Sequence, residues 1–185
     1  GKTRLARELA IEAIDDGALV LFGRCDEGVG APFQPIADAL AHYVDLVRPM
    51  PSDLGRFPGE LRRLVPHLDE DVEGLPDMIR ADSETEQYRL FDAVLSWLET
   101  AAADQPLLLV IDDIHWASQP TMDLLRHLLR RVPGAPLCIV GTYRDTATDE
   151  SSQLLRFLGD MQRAHATVSI NLTGLDASGI RSFLQ

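Results

Sequence analysis

The chain opens with Gly1-Lys2-Thr3, which sets a conformationally permissive residue, an ammonium and a hydroxyl side by side. This trio forms the second half of the phosphate-loop signature G-x-x-x-x-G-K-[ST]. In that signature backbone N–H groups wrap the phosphates, the lysine reaches the β and γ oxygens, and the hydroxyl ligates Mg2+. A metal held by one hydroxyl and by phosphate oxygens also needs a carboxylate. The run LLLVIDD supplies two, Asp112 and Asp113, where an apolar segment ends. A third polar group, Thr142 and Arg144, follows another apolar run, LCIVG. Each piece alone has a plainer explanation: chance composition for the triplet, and a strand leaving the core into a solvated acidic turn for the carboxylates. Their joint presence is what a phosphate cradle and its metal partner demand.

These residues work only if regular elements bring them together. Residues 3–15 carry Leu5, Leu9 and Ala13, with Ile11 and Ile14, at helical spacing, and Gly17 follows as a stop signal. A helix directly after the triplet is what a phosphate loop needs. Residues 18–24, ALVLFGR, read as a strand covered on both faces, and residues 36–47 as a helix. From Pro49 to Asp82 the chain is proline-rich and acidic without a clean period, which predicts short helices and loops in a surface insertion. Ser83 and Glu86 fit a capping box for a helix over 84–103, with Tyr88, Phe91, Leu95, Leu98 and Ala102 on its apolar face. After LLLVIDD, the segment ASQPT starts a helix bearing Met122, Leu125, Leu128, Leu129 and Val132, closed by Pro133-Gly134. A strand over APLCIVG, a helix around 151–164, a strand at 168–172 and a last helix from about Asp176 complete the series. Strands separated by helices, without hairpin turns, predict an α/β fold with a parallel sheet and right-handed crossovers. In open parallel sheets ligands lie beyond the carboxyl ends of the strands, where the polar residues gather here.

Composition narrows the classes. The chain has 185 residues, 45% hydrophobic and 25% charged, which suits one domain with a real core. Its 17 basic and 29 acidic residues give a net charge of −12, which repels a phosphate backbone and argues against this segment gripping nucleic acid. Cys25 and Cys138 are isolated in apolar runs that read as buried, without metal-ligand spacing, so neither a disulfide framework nor a zinc site is expected. No apolar stretch has the length to span a bilayer.

The segments GKTRL, ALVLFGRCDEGVGAPFQPIADAL, LLLVIDDIHWAS and IVGTYRD together resemble the AAA-like ATPase module of STAND-class P-loop NTPases. The form resembled is the one found in large bacterial LuxR-type transcriptional regulators. The resemblance covers nearly the whole chain, and the pairing of DDIHWA with GTYRD is its most specific part. It implies a three-layer α/β/α P-loop NTPase fold. It also implies that residues 1–185 are a single partial nucleotide-binding domain that starts inside the Walker A loop, without its first strand and its C-terminal helical lid.

By the same resemblance Gly1, Lys2 and Thr3 bind ATP phosphates, Thr3 and Asp112 hold Mg2+, and Asp113 orients or activates the attacking water. Arg144 would sense the γ-phosphate, a guanidinium being suited to a terminal phosphate that ADP lacks; a surface pair with Asp145 is the plainer reading. His115 and Trp116 belong to the signature, and a structural role suffices to explain them, the indole packing under the loop and the imidazole satisfying backbone groups. Arg24 and Asp26 lie at a strand end and carry no assigned role. The implied function is a slow, cytoplasmic ATP-hydrolysing switch. The parent protein would self-associate in its ATP state and contact DNA only through a separate helix-turn-helix domain. Relatives also occur beside cyclase or kinase outputs, and a degenerate interaction module that no longer binds nucleotide is a further alternative.

Overall fold

A computed structural model describes residues 1–28, 31–131, 134–144, 152–163 and 167–172. Strands β1 (Leu19–Arg24), β2 (Leu107–Asp112) and β3 (Leu137–Gly141) form a parallel sheet in the order β1-β2-β3. The register sets Arg24 beside Asp112 and Ile111 beside Gly141, so the polar strand ends meet at one edge of the sheet. The α/β class with a parallel sheet is therefore present as expected.

Helices cover both faces. In β2 the apolar run is continuous because both faces are buried: Leu107, Leu109 and Ile111 face one core, Leu108 and Val110 the other. The smaller core lies under α1 (Lys2–Asp15), whose Ala6, Ala10 and Ala13 approach Leu108 and Val110 closely. This corrects the expected stripe. Leu5, Leu9, Ile11 and Ile14 are 40–58% exposed, because the helix seats its alanines on the sheet and leaves the larger side chains outward. The larger core lies between the opposite face and α2 (Gln34–Val47), α4 (Ser83–Asp104), α5 (Gln119–Arg131) and α6 (Ser152–Arg163).

Between α2 and α4 the chain makes two 3-10 turns, at Pro51–Leu54 and Pro58–Arg63, and one helical turn, α3 (Leu68–Asp71). The short elements match the reading of this stretch, but it is no surface insertion. Leu54, Leu61, Leu68 and Val72 are fully buried with Trp97 and Leu98 of α4. Aperiodic sequence hid them, because 3-10 turns and loops have no fixed apolar spacing. The buried carboxylate of Glu60 accepts hydrogen bonds from Ile79 N–H (3.1 Å) and Arg63 Nε (3.0 Å), and Arg63 also reaches Glu86 Oε2 at 2.9 Å. The network straps the segment ahead of α4 to the core, pairing a charge that would be costly to bury alone. The cap of helix α4 lies one residue before the expected Ser83: Asp82 Oδ1 accepts the Thr85 N–H at 3.0 Å, and Glu86 accepts from Ala81 N–H.

Three further expectations are corrected or fall elsewhere. Residues 168–172 form no strand; Val168 and Ile170 are 91% and 77% exposed, since an extended segment becomes a strand only with a ladder partner. Cys138, expected to be buried, is exposed on β3, while Cys25 is buried and its thiol is pushed up to about 12, first by burial and then by Asp113. Val132, Pro133, Asp145 and the helix expected from Asp176 lie outside the described residues.

Where α4 meets α5, His127 Nε2 and Arg131 Nη1 both reach Asp92 Oδ1, at 3.1 and 3.0 Å, and the imidazole packs edge-on against Tyr88 and Phe91. Burial, then the Arg131 charge, hold His127 below its ordinary value of 6.5, with Asp92 opposing. The unfolded chain therefore takes up this proton first on acidification. Stability is expected to fall as pH drops below 6.5 towards the folded-state value, and to be insensitive to this group above 6.5. Urea melts at pH 8 and pH 5.5 check this: His127→Gln should lose less stability between the two pH values than the natural chain does.

Candidate functional site

Four chain segments converge at the carboxyl ends of the strands. Helix α1 starts there: Gly1 is its N-cap, the carbonyl of Gly1 accepts the Leu5 N–H at 3.0 Å, and no acidic side chain occupies the first turn. The leading amides of the helix are open to an anion, and the helix dipole favours one. Lys2 stands exposed at the first helical position. The next residue, Thr3, points its hydroxyl at the end of β2, where Oγ1 lies 3.2 Å from Asp112 Oδ1 and 3.1 Å from Oδ2.

Asp112 is the last residue of β2 and only 3% exposed. A buried carboxylate needs partners, and it finds them in two hydroxyls from distant chain segments: Thr3, and Thr142, whose Oγ1 donates to Oδ1 at 2.5 Å. Thr142 is stitched in on all sides. Its N–H donates to the Ile111 carbonyl (3.0 Å), its carbonyl accepts the Ile114 N–H (2.8 Å), and its hydroxyl accepts the Asp113 N–H (3.1 Å). The sequence marked Thr142 only as a polar strand end. Its signal was the register: one step past the Ile111–Gly141 pair, it falls opposite Asp112.

Asp113 leaves the strand in the left-handed region, with φ 59° and ψ 43°, and starts a 3-10 turn over Ile114–Trp116. Such a conformation is uncommon outside glycine, though Asp and Asn tolerate it best. The bend takes the second carboxylate out of the core, leaving its side chain 17% exposed. Arg24, at the end of β1, brings Nη2 to 3.5 Å from Asp113 Oδ2, and His115 Nδ1 lies 3.9 Å from Oδ1. Sequence reasoning left Arg24 without a role, because nothing local announces that parallel register sets it beside Asp112. His115 is buried against Trp116, their rings 5.0 Å apart.

The structure thus brings Gly1, Lys2, Thr3, Asp112 and Asp113 to one end of the sheet. Arg144 is exposed two residues beyond Thr142. Thr3 and Asp112 are hard oxygen donors within hydrogen-bond reach of each other beside an open helix N-terminus, a donor set that fits a Mg2+ ion shared with phosphate oxygens. Among the described residues, no helix is long and apolar enough to cross a membrane.

No curated protein and no solved structure matches the chain. Its residues 1–140 match the family model for the AAA ATPase domain, so the chain belongs to the AAA ATPase domain family, a family of ATPase modules.

Proposed function

We propose that this domain binds Mg-ATP at the junction of α1, β2 and β3 and hydrolyses it slowly, as a switch in a STAND-class signalling ATPase. The observation that carries this reading is the contact of Thr3 with Asp112 across 109 positions of sequence. It joins a hydroxyl at a helix N-terminus to a buried strand-end acid, placing two hard oxygen donors beside the open amides of α1. A bound Mg2+ would supply positive charge to offset that of the phosphates. Thr3 and Asp112 would hold it, Lys2 would meet the phosphates, and the leading amides of α1 would receive them. Asp113, turned out of the core, would accept a hydrogen bond from the attacking water.

The resemblance of DDIHWA and GTYRD favours a cytoplasmic LuxR-type regulator as the full-length protein. Such a protein would self-associate with ATP and bind DNA through a separate domain. A net charge of −12 fits a domain that does not itself hold DNA. A cyclase or kinase output is the second reading.

A further parallel strand against the outer edge of β3 belongs to the same proposal. Among the described residues β3 pairs on one side only. An apolar groove of about 420 Å3, lined by Leu9, Ala13, Leu108, Leu137 and Cys138, runs beside it.

Arg144 tests the switch. If it meets the terminal phosphate, Arg144→Ala in the full-length protein should weaken ATP binding about 10-fold or more while leaving ADP binding within about 2-fold, a charge-assisted hydrogen bond contributing about 1.5–3 kcal/mol. Titration calorimetry with both nucleotides checks this; equal losses would mark Arg144 as structural.

A further inference from the structure

We propose that Arg24 is a positioning residue for Asp113, turning its carboxylate against a fixed wall made by His115. The inference rests on the reading of Asp113 as the acid that orients water. The backbone of Asp113 is pinned, with its N–H on Thr142 Oγ1 at 3.1 Å and its φ at 59°. The side chain keeps its torsional freedom, so a partly exposed carboxylate still needs something to aim it. Two groups flank it. His115 is packed in, its side chain 1% exposed and its ring tilted 40° against Trp116, and Nδ1 lies 3.9 Å from Oδ1. Arg24 reaches in from the end of β1 to bring Nη2 to 3.5 Å from Oδ2, and a second acid, Asp26, lies 3.9 Å from its Nε.

Both approaches to Asp113 exceed the 2.7–3.2 Å of an N–H···O hydrogen bond. That length matters. A short bidentate clamp would occupy the lone pairs that a water must use, whereas a charge at 3.5 Å sets the direction of the carboxylate and leaves them open. Arg24 is 63% exposed, so its replacement removes this effect without opening the core.

The experiment compares Arg24→Gln and Arg24→Lys in the full-length protein, measuring Mg-ATP affinity by calorimetry and phosphate release under steady state. Arg24→Gln is expected to lower kcat about 10-fold with affinity within about 2-fold, the scale on which outer partners act on a reacting group, and Arg24→Lys to regain most of the loss. In an Asp113→Asn background Arg24→Gln should cost nothing further, because residues acting as a unit are not additive. A kcat that is unchanged or raised by Arg24→Gln, or a full additional loss in the double variant, overturns the proposal. If instead the natural protein hydrolyses ATP and Asp113→Asn does not slow it, the assignment of Asp113 fails first and the role of Arg24 falls with it.

Discussion

Replacing Gly23 with alanine is expected to cost the fold about 3 kcal/mol or more, the upper range for overpacking a core. Gly23 lies near the end of β1, where α2 crosses the strand. A Cβ built on it would stand 2.0 Å from the Pro35 carbonyl oxygen, 2.6 Å from its carbon and 2.8 Å from its Cα. All three atoms are backbone at the start of α2, so no side-chain rotation relieves the clash, and helix and strand must separate. The separation would open the core that Leu21 and Ile36 share and move Arg24, the next residue, away from Asp113. Against a typical stability of about 5–15 kcal/mol the loss is large. Denaturant melts measure it, with Gly141→Ala as the control. There the added Cβ meets side-chain atoms alone, Ile114 Cδ1 at 3.3 Å and Cγ2 at 3.6 Å, and the change is expected to stay within about 1 kcal/mol. A small loss at Gly23 would mean that α2 does not approach β1 so closely.

The second large effect separates the two acids. Asp113→Asn is expected to leave Mg-ATP binding nearly intact and to slow hydrolysis about 100-fold or more, the range for removing a group that handles the proton of a nucleophile. Asn tolerates the left-handed backbone at φ 59° as well as Asp does, so the turn survives the change. Asp112→Asn should behave differently. Asp112 is 3% exposed, accepts from Thr3 and Thr142, and faces the helix N-terminus, so its loss falls on metal-dependent binding itself. Calorimetry with and without Mg2+, beside single-turnover hydrolysis, separates the two variants. Identical defects would show that the two roles are wrongly divided.

Local signals carried much of this architecture. The apolar runs around Leu21, Leu109 and Ile139 announced the strands, and the triplet and the acid pair singled out residues that the fold brings to one end of the sheet. The features that escaped depend on register or close approach, which no local pattern encodes. Thr142 meets Asp112 because β2 and β3 run parallel with Ile111 beside Gly141, and Arg24 reaches Asp113 because β1 ends level with β2. Gly23 reads as an ordinary strand glycine until the Pro35 carbonyl lies against it. The faces of α1 were misassigned because apolar spacing marks the larger residues, whereas a helix lying close to a sheet seats its smaller ones.

Titrating the full-length protein with ATP by calorimetry, with Mg2+ present, for the natural sequence and for Lys2→Ala, tests the proposed nucleotide site most directly. The natural protein is expected to bind, and Lys2→Ala to bind about 10- to 100-fold more weakly, since a charge-assisted contact with phosphate contributes about 1.5–3 kcal/mol. No binding by the natural protein, or equal affinity in the two, would contradict a phosphate cradle built on Gly1, Lys2 and Thr3.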